Sequence, residues 1–406
     1  MNIIFIHTDF PGQFRLPAEI SGKDKNNKII FITSENTDRH IPGVQKIVYS
    51  EKSSGENKEG PSKQPPGLSV ANVLVELKKK NFVPDLIVGH SGPGTSFYVK
   101  DVFPDTPFLC FFQWFHTPDM IRNEFNSAAE GPELKIRMNL RNRNLSILAD
   151  LCACDYGICP TDWQKSRFPT EFQSKLSVVH EGIDTNAFQP SEDRKFKTAH
   201  LDLSSVKQLV TYTANVLAPY AGFQQFMEAL PAVLEQKPDA RVVIAGADRV
   251  SFADASGNKK SYKSLILEKV KLDTERVHFI EGLTFNDYKQ LLQASSVHVY
   301  LDSPLMVSRS LLEAMSCECL VIAPDIQPVK EVIKDGSNGI IADFSTPEKI
   351  AEKLVACLDY PSFMKEVKRK ARQTIVDQYS LEKILPRLLN LVQKMAMENR
   401  PSTLFG

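Results

Sequence analysis

Short apolar runs alternate with amphipathic helical patterns along almost the whole chain, and this alternation constrains the fold more than any other feature. Strands that are separated by helices pair in parallel, because each helix carries the chain back across a face of the sheet. Near-continuous apolar strands are typical of sheets that are buried on both faces. The pattern therefore predicts an α/β fold with parallel sheets covered by helices.

The strand candidates fall into two series. The first comprises residues 3–7, 28–33, 85–89, 108–112, 156–159 and 177–180. The second comprises residues 209–214, 241–245, 277–281, 297–301, 320–323 and 339–342. Two similar series in one chain predict two doubly wound, Rossmann-like domains.

The domain boundaries follow from length and from breaks in the pattern. The chain has 406 residues, which exceeds the roughly 100 to 200 residues of an ordinary domain. Segment 51–66, EKSSGENKEGPSKQPP, is almost without apolar residues and is interpreted as a surface insertion, and segment 251–262 as a polar excursion. Segment 189–205 has weak periodicity and is interpreted as the linker. We therefore expect an amino-terminal domain over 1–188 and a carboxy-terminal domain over 206–375.

The charge balance limits the classes of partner. The 49 basic and 49 acidic residues cancel, so no overall field attracts nucleic acid. One helical pattern, over residues 134–151, carries Lys135, Arg137, Arg141 and Arg143. Such a face is either solvated or makes a weak contact with an anionic membrane surface. Nucleic acid is therefore not expected as a partner, and a weak membrane contact stays open.

Compartment and cofactors are inferred from what the sequence lacks. No apolar stretch reaches the roughly 20 residues of a membrane span, and the first strand candidate has no basic leader, so we expect a cytoplasmic protein. The seven cysteines lie among apolar residues, and their C-x-C pairs do not have zinc-ligand spacing. We interpret them as small core side chains and expect neither a metal nor another cofactor.

The segment over residues 303–344 carries the most informative chemistry. Glu313 is predicted to open a helix after a strand-exit loop, where its carboxylate can accept hydrogen bonds from the vicinal hydroxyls of a ribose. Ser308, Arg309 and Ser310 precede it and offer amide groups at a helix start, which suits a diphosphate. The alternative is that Glu313 only stabilises its own helix terminus.

The same segment resembles family 4 of the retaining glycosyltransferases. The matching pieces are LEAM at 312–315, VIA at 321–323, EVI at 331–333 and DGSNG at 335–339. HEGIDTNAF at 180–188 is similar to the family's passage between its two domains, and DFPGQF at 9–14 occupies the loop where the family keeps a glycine near the donor phosphate. PTDWQ at 160–164 and DARVVIAG at 239–246 also stand in family order. The likeness covers at least four fifths of the chain and excludes the insertion at 51–66.

The resemblance implies a GT-B fold, in which two Rossmann-like domains face a cleft and the last helix, here residues 381–395, packs back on the first domain. Family members of this kind need no metal, and the donor is a nucleotide-sugar, with a UDP-sugar slightly favoured. The residues that the resemblance and the helix-start argument assign to donor binding are Glu313, Arg309, Ser308, Ser310, Gly12, Gly222 and Gly282.

The sequence departs from the family at three charged positions. Leu305 replaces the first acid of the E-x7-E arrangement, and Asn215 and Ala221 replace the basic pair that neutralises the leaving diphosphate. Removing one preorganised donor from a developing anion costs about 2.7 to 4 kcal/mol of barrier. Arg309 either supplies the missing charge, with Lys330 nearby in sequence, or is a solvated helix-start residue.

The amino-terminal domain offers two candidates for the cleft or the acceptor. Gln113 fills the position after strand 108–112 at which family members often have a histidine, and His116 follows three residues later. The alternative for His116, which follows Trp114 and Phe115, is a packed core histidine.

These inferences give one favoured function and two alternatives. The favoured function is transfer of a sugar, with retention of configuration, from the nucleotide-sugar to a glycan, protein or lipid-linked acceptor. The first alternative is a catalytically degenerate subunit that binds a glycan, a nucleotide or a partner glycosyltransferase, as Leu305, Asn215 and Ala221 would favour. The second alternative is a sugar-nucleotide epimerase of similar shape.

Overall fold

The computed structural model describes residues 1–50, 67–117, 133–218, 222–249, 251–253, 259–301 and 306–397. These residues form two compact units. The first contains the described residues of Met1–Pro118, Gly131–Glu181 and Ile384–Gly406, and the second contains those of Gly182–Lys383. The predicted insertion at 51–66 and the positions Leu305 and Ala221 lie outside the described residues.

A parallel sheet of seven strands forms the centre of the first unit, in the order β3-β2-β1-β4-β5-β6-β7. The strands are β1 Asn2–Ile6, β2 Lys28–Thr33, β3 Val44–Val48, β4 Leu86–His90, β5 Phe108–Phe111, β6 Tyr156–Cys159 and β7 Leu176–Val178. The helices are α1 Arg15–Lys23, α2 Leu68–Lys79, α3 Val99–Val102, α4 Glu133–Ala153, α5 Asp162–Ser166 and α6 Thr170–Gln173. A short 3-10 turn, Gly12–Phe14, precedes α1.

Side chains alternate between the two sides of a strand, and both sides of this sheet are buried. Ile4 of β1 packs in a cluster that contains Leu74 of α2. Its neighbour Ile3 packs on the opposite face in a cluster that contains Met395. Met395 belongs to the last helix, α14 Leu381–Met397, which is part of the first unit from Ile384 onward. The last helix therefore packs on one face of the sheet that contains β1.

Helix α4 presents both basic and apolar side chains to solvent. Lys135 and Arg141 are exposed, and Leu134 and Leu145 are 69% and 62% exposed. The weak membrane contact of this helix stays a prediction. Among the helices that the structure describes, none has the length and apolar character to cross a bilayer.

A parallel sheet of six strands forms the centre of the second unit, in the order β12-β9-β8-β13-β14-β15. The strands are β8 Gln208–Val216, β9 Ala240–Ala247, β12 Val277–Ile280, β13 Val297–Val299, β14 Val321–Pro324 and β15 Ile340–Ala342, with a separate antiparallel hairpin of β10 Ser251–Ala253 and β11 Lys259–Ser261. The helices are α7 Phe223–Gln236, α8 Tyr262–Leu267, α9 Phe285–Ala294, α10 Arg309–Ser316, α11 Gln327–Val332, α12 Pro347–Asp359 and α13 Pro361–Thr374, followed by a π-helical turn Ile375–Tyr379.

The second unit begins at Gly182, ahead of the predicted boundary at residue 188. Phe188 is buried in a cluster with residues of α10. The guanidinium of Arg372 donates to the carbonyls of Phe188, Ser316 and Thr185 at 3.1, 2.6 and 3.3 Å. One half-buried arginine therefore fixes segment 182–188 to α10 and α13.

The segment over 189–205 is packed on the second unit, so its interpretation as a linker is wrong. Phe196 is fully buried and Leu203 is 7% exposed. Both belong to a cluster that contains Leu209, Val243 and Leu291. Two apolar side chains anchor the segment without any helical or strand periodicity, which is why the sequence pattern is weak.

Two other elements differ from the expectation. Strand β3 was not predicted, and its residues are half-buried or exposed because it is the edge strand of its sheet. The predicted polar excursion at 251–262 contains the hairpin of β10 and β11. Strand β3 is an edge strand, and the hairpin is separate from the two central sheets. Neither element therefore requires a continuous apolar run.

Replacing Phe196 with Ala should lower the free energy of unfolding by about 3 to 5 kcal/mol, since removal of a buried aromatic side chain leaves a cavity. Chemical denaturation followed by circular dichroism measures the loss. Lys195→Ala is the control, because the Lys195 side chain is exposed and contacts only Asp193, at 3.0 Å, among the ion pairs of the described chain. Equal stability of the two variants would contradict the packing of this segment.

Candidate functional site

The strand order of the second sheet reverses at β8, which pairs with β9 on one side and with β13 on the other. Ligands of doubly wound sheets bind at this reversal, outside the carboxyl ends of the strands. Gly222 follows β8 and has a φ of +66°. A Cβ on Gly222 would lie 2.4 Å from the Cβ of Leu301, which follows β13. A glycine is therefore needed for the two loops to meet at the reversal.

The end of β8 is irregular. Its ladder with β9 shifts register between Thr213 and Val216, and Asn215 lies in this bulge with an exposed side chain. Bulges often re-aim side chains beside functional sites. Thr213 Oγ1, Gln225 Oε1 and Asp248 Oδ1 are buried and have no hydrogen-bond partner among the described residues. These polar atoms at β8, α7 and the end of β9 were not predicted, and a bound polar ligand or water would satisfy them.

Helix α10 begins at Arg309, with Ser308 as its N-cap residue. The hydroxyls of Ser308 and Ser310 hydrogen-bond to each other at 2.7 Å, and neither caps the helix. The Ser308 N–H already donates to the Tyr300 hydroxyl at 3.0 Å. Because the first-turn N–H groups of a helix have no intrahelical acceptors, the start of α10 is suited to an anion.

Glu313 lies in the second turn of α10, so its predicted place at the helix start is wrong. The helix begins four residues earlier, and its first turn contains no acid, which also excludes the helix-terminus alternative. Glu313 Oε2 accepts a hydrogen bond from the Tyr288 hydroxyl at 3.0 Å. Arg309 Nε lies 3.7 Å from Glu313 Oε1. The carboxylate is therefore held between a phenol and a guanidinium.

Burial raises the pKa of Glu313, and the nearby Arg309 charge and the Tyr288 hydrogen bond oppose that rise. The side chain of Glu313 is only 13% exposed, whereas that of Arg309 is 52% exposed. Lys330, the other cation considered from sequence, forms an ion pair with Asp325. Arg309 is therefore the cation that the structure places at the start of α10.

Gly282 lies apart from this group. It follows β12, the edge strand of the sheet, which is separated from β8 by β9. Its φ is +71°, and a Cβ on it would meet no atom within 4 Å. The glycine therefore serves the turn, and the structure does not bring it to the strand reversal with Gly222.

The first sheet has a comparable reversal between β1 and β4. His7 follows β1 and His90 ends β4, and their ring centroids are 4.9 Å apart. His7 Nδ1 lies 2.8 Å from the backbone nitrogen of Asp9 and 2.9 Å from its carbonyl oxygen. Gly12 has a φ of +51°, and a Cβ on it would lie 2.7 Å from His7 Cε1. Gly12 thus allows the loop after β1 to lie against the His7 ring.

Burial favours the neutral form of both histidines. Burial lowers the pKa of His7, and burial together with the His7 charge lowers the pKa of His90 to about 3. Both ring nitrogens of His90 are buried, and the Gln113 side chain lies near enough to oppose the fall in the pKa of His90. His90 was not among the predicted site residues.

A cavity of about 480 Å³ adjoins this edge of the first sheet, and its lining includes His90, Ser91, Trp114, His116, Arg143 and Ser146. Asn144 fixes the backbone of His116 by accepting from its N–H at 2.9 Å and donating to its carbonyl at 2.8 Å. His116 is therefore placed at a cavity, with its pKa lowered by burial and by Arg143. Gln113 is half-buried beside it in sequence and does not line this cavity; its carbonyl accepts from Gln164 Nε2 at 3.0 Å.

Further polar groups lie behind this cavity. The hydroxyls of Ser91, Thr95 and Ser96 and both carboxylate oxygens of Asp150 are buried without a well-formed hydrogen bond to described residues. Burial raises the pKa of Asp150 to about 6, although Ser91 and Ser96 lie near enough to lower it. The sequence signal that could have shown this cluster is the run GHSGPGTS at 89–96, a small, hydroxyl-rich loop after a strand.

In the ranges that the structure covers, no group of three His, Cys, Asp or Glu side chains could hold a metal ion. The second unit instead combines a helix start, Arg309, and a carboxylate with a phenolic partner. This combination suits a ligand that carries phosphates and hydroxyls.

Comparison with protein families gives two matches. Residues 25–188 match the model described as glycosyl transferase family 4 group, and residues 199–374 match the model described as glycosyl transferases group 1. Residues 189–198 separate the two matched regions, which together span most of both units.

Two curated relatives show the level of sequence similarity. The chain is 26% identical over 238 residues to spore coat protein SA of Bacillus subtilis, covering 56% of this chain and 61% of that protein. It is 23% identical over 244 residues to a GDP-mannose-dependent monoacylated alpha-(1-6)-phosphatidylinositol monomannoside mannosyltransferase of Corynebacterium glutamicum, covering 56% and 59%. The chain thus spans about three fifths of the length of these relatives.

Solved structures extend the similarity over nearly the whole chain. Anabaena HepE in complex with UDP-glucose has a TM-score of 0.68 and 16% identity, covering 97% of this chain and 100% of that one. Sucrose-phosphate synthase from Thermosynechococcus elongatus has a TM-score of 0.72 and 14% identity, covering 97% and 99%. At this identity the likeness concerns the fold.

The raised pKa of Asp150 predicts a specific pH dependence. The folded chain holds the Asp150 proton up to about pH 6, whereas an unfolded aspartate loses it near pH 3.9, so stability falls as pH rises between these values. Asp150→Asn should remove this slope and stabilise the chain at pH 7 by up to about 3 kcal/mol. Denaturation curves at pH 4 and pH 7 measure the effect. An unchanged slope in the variant would contradict a buried, protonated carboxyl.

Proposed function

Because this chain belongs to glycosyltransferase family 4 and has the GT-B fold, we propose that it transfers a sugar from a nucleotide-sugar to an acceptor hydroxyl with retention of configuration. The observation that carries the proposal is the arrangement of Arg309 and Glu313 on α10, in the unit that matches the group 1 model. A carboxylate with a nearby cation at a helix start provides separate places for hydroxyls and for phosphates.

The donor is proposed to bind with its diphosphate at the start of α10 and its ribose at Glu313. The amides of the first turn and the Arg309 guanidinium would receive the phosphate charge. Glu313 must be ionised to accept two hydroxyl donors, and Arg309 and Tyr288 favour the ionised form against burial. The HepE structure holds UDP-glucose, and the mannosyltransferase relative is named as GDP-mannose-dependent. These names support a nucleotide-sugar, and we propose a UDP-sugar.

The transfer step exchanges one bond at the anomeric carbon. The acceptor oxygen forms a bond to that carbon, while the bond from the carbon to the diphosphate oxygen breaks, and the nucleoside diphosphate leaves with the electron pair. The proton of the acceptor hydroxyl passes to the leaving phosphate or to solvent. Donors aimed at the diphosphate stabilise the charge that develops on it, which is the usual source of most of the rate.

The acceptor is proposed to be a glycan, protein or lipid-linked sugar that binds to the first unit. The lipid-linked acceptor in the name of the mannosyltransferase relative supports such a class without identifying it. We propose the first unit because His7, His90 and the cavity beside Trp114 lie where the strand order of its sheet reverses.

A catalytically degenerate binding subunit is the second candidate. It is favoured by Asn215, which is exposed in the bulge of β8 and has no charge to offer a leaving group. By resemblance to the family, Ala221 and Leu305 also stand where charged residues are expected. Both positions lie outside the described residues. Such a subunit would bind a nucleotide, a glycan or a partner glycosyltransferase without turnover.

Calorimetric titration of the full chain with UDP, GDP and their sugars tests donor binding. Glu313→Ala should weaken binding of the preferred nucleotide by about 1.5 to 3 kcal/mol, the value of hydrogen bonds to a charged group. Glu352→Ala, which removes an exposed carboxylate from α12, should bind as the parent chain does. If both variants bind alike, Glu313 does not hold the nucleotide.

Activity measurements separate the enzyme from the degenerate subunit. Arg309→Ala should abolish donor hydrolysis and transfer, whereas Asn215→Arg combined with Ala221→Lys should raise them about tenfold or more, since each donor to the leaving group lowers the barrier by several kcal/mol. Sugar release from the donor is measured as well as transfer, because it needs no acceptor. Nucleotide binding without release or transfer in the parent and in the double variant would favour the degenerate subunit.

A further inference from the structure

Helix α4 has one apolar face that the fold explains. Leu140, Ile147 and Leu151 on this face are buried, and Ile147 and Leu151 pack in the cluster that contains Leu74 of α2. This face attaches the helix to the first unit, as the apolar face of an ordinary surface helix does. Apolar side chains on any other face of α4 therefore need a separate explanation.

A second set of apolar side chains on α4 faces solvent. Leu134, Met138 and Leu145 are 69%, 57% and 62% exposed in the described structure. Their spacing of four and then seven residues places them within about 40° of one another around the helix axis. The buried face lies about a third of a turn away. We call these three side chains the apolar strip of α4.

Positive charge surrounds the apolar strip. Over residues 134–149 the helix has four basic residues and no acidic one. Lys135, Arg141 and Arg143 are exposed, and Arg141 lies on the strip itself, between Met138 and Leu145. The whole chain has equal numbers of acidic and basic residues, so this excess of positive charge is local.

The combination of charge and apolar surface discriminates between possible partners. A basic face alone is usually solvated, but exposed apolar side chains among the cations favour a partner that also removes them from water. A second copy of this face would bring like charges together, and a stable protein interface buries about 800 Å² on each partner, more than three side chains supply. The surface of an anionic bilayer accepts both the cations and the apolar side chains.

We propose that the amino-terminal half of α4 docks the chain on a bilayer that contains anionic lipid. The apolar strip enters the boundary between headgroups and acyl chains, while Lys135 and Arg141 pair with the anionic headgroups. Docking is peripheral and reversible, because three side chains insert much less apolar surface than a membrane span does. Docking needs neither a nucleotide nor an acceptor, so it is independent of the proposed sugar transfer.

Flotation of the full chain with lipid vesicles tests the docking. Vesicles of equal parts phosphatidylcholine and phosphatidylglycerol should bind the chain at low salt at least about tenfold more tightly than vesicles of phosphatidylcholine alone, since each nearby Lys or Arg strengthens attachment to an anionic surface. High salt should release the chain, because it screens these charges. Arg141→Gln should weaken binding to the mixed vesicles about fivefold.

A second variant separates the apolar contribution from the charge. Leu134→Gln combined with Leu145→Gln should weaken binding to the mixed vesicles about tenfold or more, because the apolar insertion is lost while every cation is kept. This double variant should unfold at the same denaturant concentration as the parent chain, since both leucines are exposed. Val83→Gln and Lys25→Gln are the matched controls, because both side chains are exposed in the first unit away from α4. Both controls should bind as the parent chain does.

The proposal is overturned if the mixed vesicles bind no chain, or if the double leucine variant binds them as tightly as Val83→Gln does. Polyglutamate that holds the parent chain as tightly as the mixed vesicles do would assign the face to an acidic protein. Sedimentation of the parent as a dimer without lipid, and of the double leucine variant as a monomer, would assign the apolar strip to a second copy of the chain. Either result would replace the bilayer as the partner.

Discussion

Parallel pairing is the constraint on which both units depend. A strand that pairs in parallel with its neighbour needs a helix across the face of the sheet, and helices on both faces leave the strands buried throughout their length. Polar side chains then find room mainly where the strands end. In the first unit these are His7 and His90, and in the second they are the bulge at Asn215 and the start of α10. The placement of these groups follows from that geometry.

The sequence predicted the buried part of this architecture well. Mainly apolar runs such as 28–33 and 156–159 coincide with strands, because burial on both faces favours apolar side chains at successive positions. The GT-B fold expected from the motif over 303–344 is confirmed. The edge strand β3 was not predicted because its exposed positions need not be apolar. The packing of segment 189–205 was not predicted because a buried side chain such as Phe196 gives no periodic pattern in the sequence.

The candidate site was predictable only where neighbours in sequence are neighbours in space. The helix start at Ser308 to Ser310 could be predicted, since helical spacing is local. The phenol of Tyr288 that holds Glu313 could not, because α9 and α10 are brought together by packing. The ionisation of Asp150 likewise depends on how deeply α4 is buried against the loop after β4. Long-range proximity and burial are properties of the folded chain, and a motif does not contain them.

The three carbonyls that Arg372 binds have a practical consequence for dissecting the chain. Two of them, in Thr185 and Phe188, belong to residues that precede the strands of the second unit. A fragment begun at residue 206 would leave the Arg372 guanidinium with Ser316 alone and would uncover apolar surface on α10. Such a fragment should precipitate or bind chaperones, whereas one that begins at Gly182 keeps the arginine paired. The best place to divide the chain is therefore set by the hydrogen bonds of Arg372 and not by segment 189–205, whose sequence has the weakest periodicity.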